Sequence, residues 1–159
     1  MLPGDGSVEN ILEGVIEGMS AVNKERVPVK AGLWEVVGDE AYLVGSRCGV
    51  CGEMFFPKKE SVFCPHCQHK SLSDARLSGE GDISTFTVVC QQPGGGFYKG
   101  PVPYAYGVVQ LPEGVNVQTL FTGCEPEKIK VGLKARMVIE ELFEEDGSII
   151  DTYKFAPVL

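Results

Sequence analysis

The sequence has no long apolar run. Nowhere do eighteen consecutive residues lack polar side chains, so no stretch is suited to cross a bilayer as a helix. It opens Met1-Leu-Pro-Gly-Asp, without the basic start and apolar core of a secretory leader, and neither end shows a lipidation signature. The expectation is a cytoplasmic protein without membrane attachment, in a compartment that disfavours disulfides. Histidine is scarce: only His66 and His69 occur, which leaves little material for acid-base catalysis. Basic charge is short as well, with 14 Lys and Arg against 22 Asp and Glu and a net charge of −8. The shortage is uneven. Residues 1–46 carry 3 basic and 8 acidic side chains, residues 47–76 carry 5 and 3, and residues 77–159 carry 6 and 11. A general nucleic-acid binder needs a basic groove over much of its surface, and this distribution argues against one.

What is present is cysteine in a pattern. Cys48 and Cys51 stand in Arg47-Cys-Gly-Val-Cys-Gly, and Cys64 and Cys67 in Phe63-Cys-Pro-His-Cys-Gln, with 12 residues between the pairs. This is close to the zinc-ribbon spacing, in which two tight knuckles aim four thiolates at one tetrahedral ion. Glycine after Cys51 suits the turn. Four thiolates close the shell and leave no position for water, so the implied Zn²⁺ is structural rather than a Lewis acid. Two disulfides or a redox dithiol are the alternatives. The compartment disfavours the first, and the doubled motif in strand-like sequence disfavours the second. His66 could replace one sulfur, and spacing alone does not separate zinc from iron. Cys90 and Cys124 remain, and neither has an adjacent histidine in sequence, so both read as small apolar residues.

Around this motif the chain divides into three expected parts: residues 1–32, an N-terminal helical segment and linker; residues 33–76, the zinc ribbon with a leading hairpin; and residues 77–159, an OB-fold domain. In the first, Ser7 can cap a helix whose face carries Ile11, Leu12, Val15, Ile16, Met19 and Val22. Gly14 and Gly18 weaken it by about 1 kcal/mol each, so it depends on packing against its own core or a partner. Leu33–Val37 and Ala41–Gly45 read as the hairpin. Beyond Leu77 come short strands near Ile83–Gln91, Tyr104–Leu111, Val115–Phe121, Lys134–Glu141 and Ile149–Phe155, with a helical turn starting at Pro126 and an Asp146-Gly147 hairpin turn. Five strands with a helix between the third and fourth is the order of an OB barrel. The predicted fold is mainly β. The acidic run Glu140, Glu141, Glu144, Glu145 and Asp146 reads as a solvated strand end and turn.

The order Tyr42-Leu-Val-Gly-Ser-Arg-Cys-Gly-Val-Cys-Gly, Phe56-Pro, Cys64-Pro-His-Cys, Ser78-Gly-Glu-Gly-Asp-Ile-Ser-Thr-Phe-Thr, Pro103-Tyr, Leu111-Pro-Glu-Gly and Phe155-Ala-Pro resembles the acyl-CoA-associated family that joins a rubredoxin-like zinc ribbon to an OB fold. The resemblance covers nearly the whole chain. It implies a probe for function: a small, non-catalytic companion of a thiolase-fold subunit or related carbon-carbon lyase, in a hetero-oligomer whose larger member holds the nucleophilic cysteine and acts on a CoA thioester. Within the family the similarity is closest to small subunits of benzoylsuccinyl-CoA thiolases of anaerobic toluene degradation. Family members often carry arginine after the aromatic-proline pair; here the sequence reads Pro57-Lys-Lys, so a bidentate phosphate contact does not carry over. Binding acyl-CoA calls for basic side chains beside an apolar slot, and Arg47, Lys58, Lys59, Phe97, Tyr98 and Lys99 are the candidates for CoA or partner contact. Lys70 and Arg76 are further basic candidates. A nucleic-acid-binding OB protein and a free-standing acyl-CoA sensor are the competing readings.

Overall fold

In a computed structural model of the chain, residues 23–96 and 98–159 are described. The helix expected over the first twenty residues lies outside them, as does Phe97. Two β systems account for nearly all the regular structure among the described residues. The first is the ribbon. Here β2 (Trp34–Val37) pairs antiparallel with β3 (Glu40–Cys48), which also pairs with β4 (Met54–Phe55) and β5 (Leu72–Leu77). Strand β3 therefore runs through the middle and delivers Cys48 at its end.

The second system is a five-stranded barrel of β6 (Glu80–Val89), β7 (Tyr104–Gln110), β8 (Asn116–Leu120), β9 (Lys134–Glu145) and β10 (Ser148–Pro157). The pairing order β10-β9-β6-β7-β8 is closed by a parallel bridge between Phe121 and Phe155. This is the OB topology, in which the third and fifth barrel strands meet in parallel. All five expected barrel strands are present. The alternation that marked β8 is seen as Val117 and Thr119 turned inward, with Asn116 and Gln118 outward.

The short helical turn is found where expected, and two local details differ from the sequence reading. The helical turn at Pro126 is one 3-10 turn, Pro126–Lys128, after which the chain is extended at Ile129. Ile129 is buried in the barrel core, and seating that side chain ends the helical path. Strand β9 continues through the acidic residues to Glu145. A short strand β1 (Arg26–Pro28), in what read as linker, lies parallel along β10. Arg26 explains its place, because its guanidinium grips both oxygens of Asp151 at 2.5 and 3.0 Å.

Leu43 and Leu77 from the ribbon share one buried cluster with Ile83, Val109, Val117 and Phe155 from the barrel. Phe56 adds an edge-to-face contact with Tyr153 on β10, centroids 5.6 Å apart. One hydrophobic core thus holds the ribbon base against the barrel wall. The position of the cysteine knuckles follows from that contact.

Candidate metal centre

Each knuckle is built from short-range hydrogen bonds. In the first, Gly52 N–H donates to Cys48 O at 3.0 Å, with Gly52 in the left-handed region at φ 76°, where a side chain would be strained. The amides of Val50 and Cys51 point at Cys48 Sγ, at 3.4 and 3.3 Å. In the second, Gln68 N–H donates to Cys64 O at 2.8 Å, and Gln68 takes the left-handed conformation, φ 63°, that glycine occupies in the first. A bridge between Phe63 and Lys70 closes its base.

The two knuckles face each other. Cys48 Sγ lies 3.5 Å from Cys67 Sγ, and Cys51 Sγ 3.7 Å from Cys64 Sγ. All four sulfurs fall within 4.8 Å of one another. Sulfurs at 2.3 Å from a tetrahedral zinc sit about 3.8 Å apart, so the observed spacing fits that ion. None of the four is in a disulfide. Neither imidazole belongs to the donor set, which holds the four thiols alone among the described residues.

Electrostatics points the same way. Cys48 is held down at about 5, first by the hydroxyl of Ser71 at 2.9 Å and then by the backbone amides of Cys51 and Val50, against burial. For Cys51 the Glu53 backbone contact favours the thiolate, but desolvation and the neighbouring sulfurs prevail and push it up to about 12. One sulfur ionises readily and its neighbour then resists, because adjacent thiolates repel. A divalent cation between them removes that repulsion and lets all four ionise. Ser71 was not foreseen, and a serine four residues past the last cysteine carries no signal of its role in sequence.

The candidate contact residues separate into two groups. Arg47 is exposed on β3, Lys58 pairs with Asp74 at 3.2 Å, and Lys59 Nζ lies 5.6 Å from the Phe55 ring centre, all on the ribbon. Tyr98 and Lys99 belong to the barrel: Tyr98 stacks on Tyr104, and Lys99 pairs with Glu145 at 3.6 Å. The hollows lined by Lys58 and Lys59 share no residue with those lined by Tyr98 and Lys99. Of the remaining cysteines, Cys90 is exposed and Cys124 half-buried, and burial raises the Cys124 thiol, the opposite of nucleophile activation.

A four-cysteine ribbon seated on an OB barrel defines the class of protein. Residues 74–140 match the family model for the C-terminal OB-fold domain of ChsH2. A DUF35 domain-containing scaffold protein of Pyrococcus furiosus is 37% identical over 79% of this chain and 90% of its own length. The chain belongs to this DUF35 scaffold family. A benzoylsuccinyl-CoA thiolase subunit, BbsA, of Thauera aromatica is 26% identical over 76% of this chain and 80% of its own. Among solved structures, a chain of the Ltp2-ChsH2(DUF35) aldolase superposes with a TM-score of 0.58 at 26% identity, covering 73% of this chain and 84% of that one.

Proposed function

We propose that this protein is the zinc-holding accessory subunit of a heteromeric enzyme that makes or breaks carbon-carbon bonds in CoA thioesters. The observation that carries this reading is the sulfur tetrad at tetrahedral spacing on a DUF35 scaffold, a fold whose relatives include a thiolase subunit and an aldolase component. The ion, held by Cys48, Cys51, Cys64 and Cys67, stabilises the ribbon and takes no part in the reaction. The catalytic partner, a thiolase-fold subunit, contributes the nucleophilic cysteine and the acid-base groups. In such a thiolysis the partner's cysteine thiolate adds to the β-keto carbonyl, the carbon-carbon bond breaks and the released carbanion takes a proton to leave as one thioester; the deprotonated thiol of CoA then takes the acyl group from the cysteine as the second thioester and restores the thiolate.

Arg47, Lys58 and Lys59 on the locally positive ribbon are the residues suited to the phosphates of CoA, the two lysines as point charges rather than as a bidentate fork. Benzoylsuccinyl-CoA is the first substrate to assay, on the likeness to the Thauera aromatica subunit. Co-expression with a thiolase-fold subunit from the same genome tests the proposal. The expected result is a stable complex with one zinc per copy of this chain and thiolase activity that the isolated chain lacks. Thiolytic turnover by the isolated chain, or failure to associate with any such subunit, would sink it.

A further inference from the structure

The barrel carries a second site, remote in chemistry from the sulfurs. The loop between β6 and β7 returns over the barrel so that Tyr98 lies on Tyr104, with ring centres 4.0 Å apart. With Val89, Tyr106, Leu120 and Leu142 these rings line an open hollow of about 320 Å³. It sits beside the loop joining the first two barrel strands, where OB barrels commonly receive ligands. Two of the three hydroxyls are already engaged: Tyr98 donates to Pro101 O at 2.8 Å and Tyr106 to Gln118 Oε1 at 2.7 Å. The floor therefore offers ring and aliphatic surface, and Tyr106 stays 39% exposed.

The rim is charged, with acidic side chains in excess along the neighbouring arm. A second hollow of about 440 Å³ shares Tyr98 and Leu142 and is walled by Glu141, Glu144, Lys99 and Lys154. Both lysines are occupied, Lys99 by Glu145 at 3.6 Å and Lys154 by Glu140 at 3.5 Å, and Lys24 pairs with Glu144 at 2.6 Å. Across this arm Glu140, Glu141, Glu144, Glu145 and Asp146 outnumber the three lysines.

We propose that this cleft docks a basic segment of a partner protein, with an aliphatic or aromatic side chain seated among Tyr98, Tyr104 and Tyr106 and an Arg or Lys against the acidic rim. Charge selects this occupant. A polyphosphate or nucleic acid meets like charge there. Residues 1–22 of this chain are a poor fit for the same reason, with four acidic side chains and no Lys or Arg. The inference rests on the accessory-subunit reading only for the existence of a partner.

The test is selection of a displayed random-peptide library on the zinc-loaded full chain, with Tyr106→Ala and Leu142→Ala as counter-targets after their thermal unfolding is matched to the parent. Enriched peptides are expected to combine net positive charge with an aliphatic or aromatic residue. They should lose roughly tenfold or more in affinity on either variant and on Glu144→Lys, and shift the amide resonances of Tyr98, Tyr104, Tyr106 and Leu142. Failure to enrich, acidic or neutral consensus sequences, or equal binding to the variants overturns the proposal. So does displacement by millimolar CoA or by a peptide of residues 1–22, or self-association of the chain that Tyr106→Ala abolishes. A protein that never joins a thiolase-fold subunit would defeat the accessory reading yet leave the peptide selection unchanged, so the two failures are separable.

Discussion

Among the described residues, Ser71 is the one side chain outside the tetrad that touches a sulfur by hydrogen bond, at 2.9 Å from Cys48. Partners of this kind orient a ligand and tune its basicity, so Ser71→Ala is expected to weaken metal retention by about 10- to 100-fold while leaving the fold in place. Competition against a chromophoric chelator reads this directly. Tyr153 sets a different limit. Burial pushes its phenol up to about 12, and its hydroxyl donates to Gln118 O at 3.0 Å, a bond the phenolate cannot make. Its folded value lies above its unfolded one, so its contribution is complete below pH 10 and is lost as pH rises towards 12. The loss is on the order of 1–2 kcal/mol after allowing for its partial exposure. Denaturant unfolding across that window should show the decline in the parent and a smaller one in Tyr153→Phe.

At the scale of elements, the first two barrel strands depend on glycine where their backbones approach closely, Gly107 above all. Register shifts between Ile83 and Thr85 where β6 pairs with β7, and a Cβ on Gly107 would collide with Thr85 O and the Phe86 backbone. Gly107→Ala is expected to cost about 2–4 kcal/mol in urea unfolding. The hairpin joining β9 and β10 makes a milder demand. Asp146 and Gly147 both have positive φ, 51° and 79°, the geometry that matches strand twist in a two-residue turn. Nothing lies within 4 Å of a Cβ built on Gly147, so Gly147→Ala should cost only about 1 kcal/mol, from backbone strain alone. The turn was legible because Asp-Gly is a strong local signal. Strand β1 was not, because its place is decided by Arg26 meeting Asp151, 125 residues away.

For the whole molecule, the metal and the barrel are expected to be linked through the shared cluster. Leu43 and Leu77 are 0% and 1% exposed and belong to the ribbon, yet they pack with the barrel core. Ion binding by a four-thiolate site contributes on the order of 10 kcal/mol to its local fold. Stripping the ion with a strong chelator should therefore melt the ribbon and also lower the unfolding temperature of the barrel. Near-ultraviolet dichroism at Trp34 in β2 and at the barrel tyrosines follows the two parts. Protons compete with the metal for thiolates, so retention is expected to fall as pH falls, and Cys64→Ala should unfold the ribbon at neutral pH.

The four cysteines, the barrel strands and the Asp146-Gly147 turn were readable in the sequence because each depends on neighbours a few residues away: knuckle spacing, alternation, and turn chemistry. Tertiary structure alone decided that Ser71 would reach Cys48 and that Ile129 would be drawn into the core. It also divided the candidate contact residues, leaving Arg47, Lys58 and Lys59 on the ribbon and Tyr98 and Lys99 beside the acidic arm of the barrel. Such pairings join residues distant along the chain, and only closure of the barrel and the burial of its common core set which of them meet.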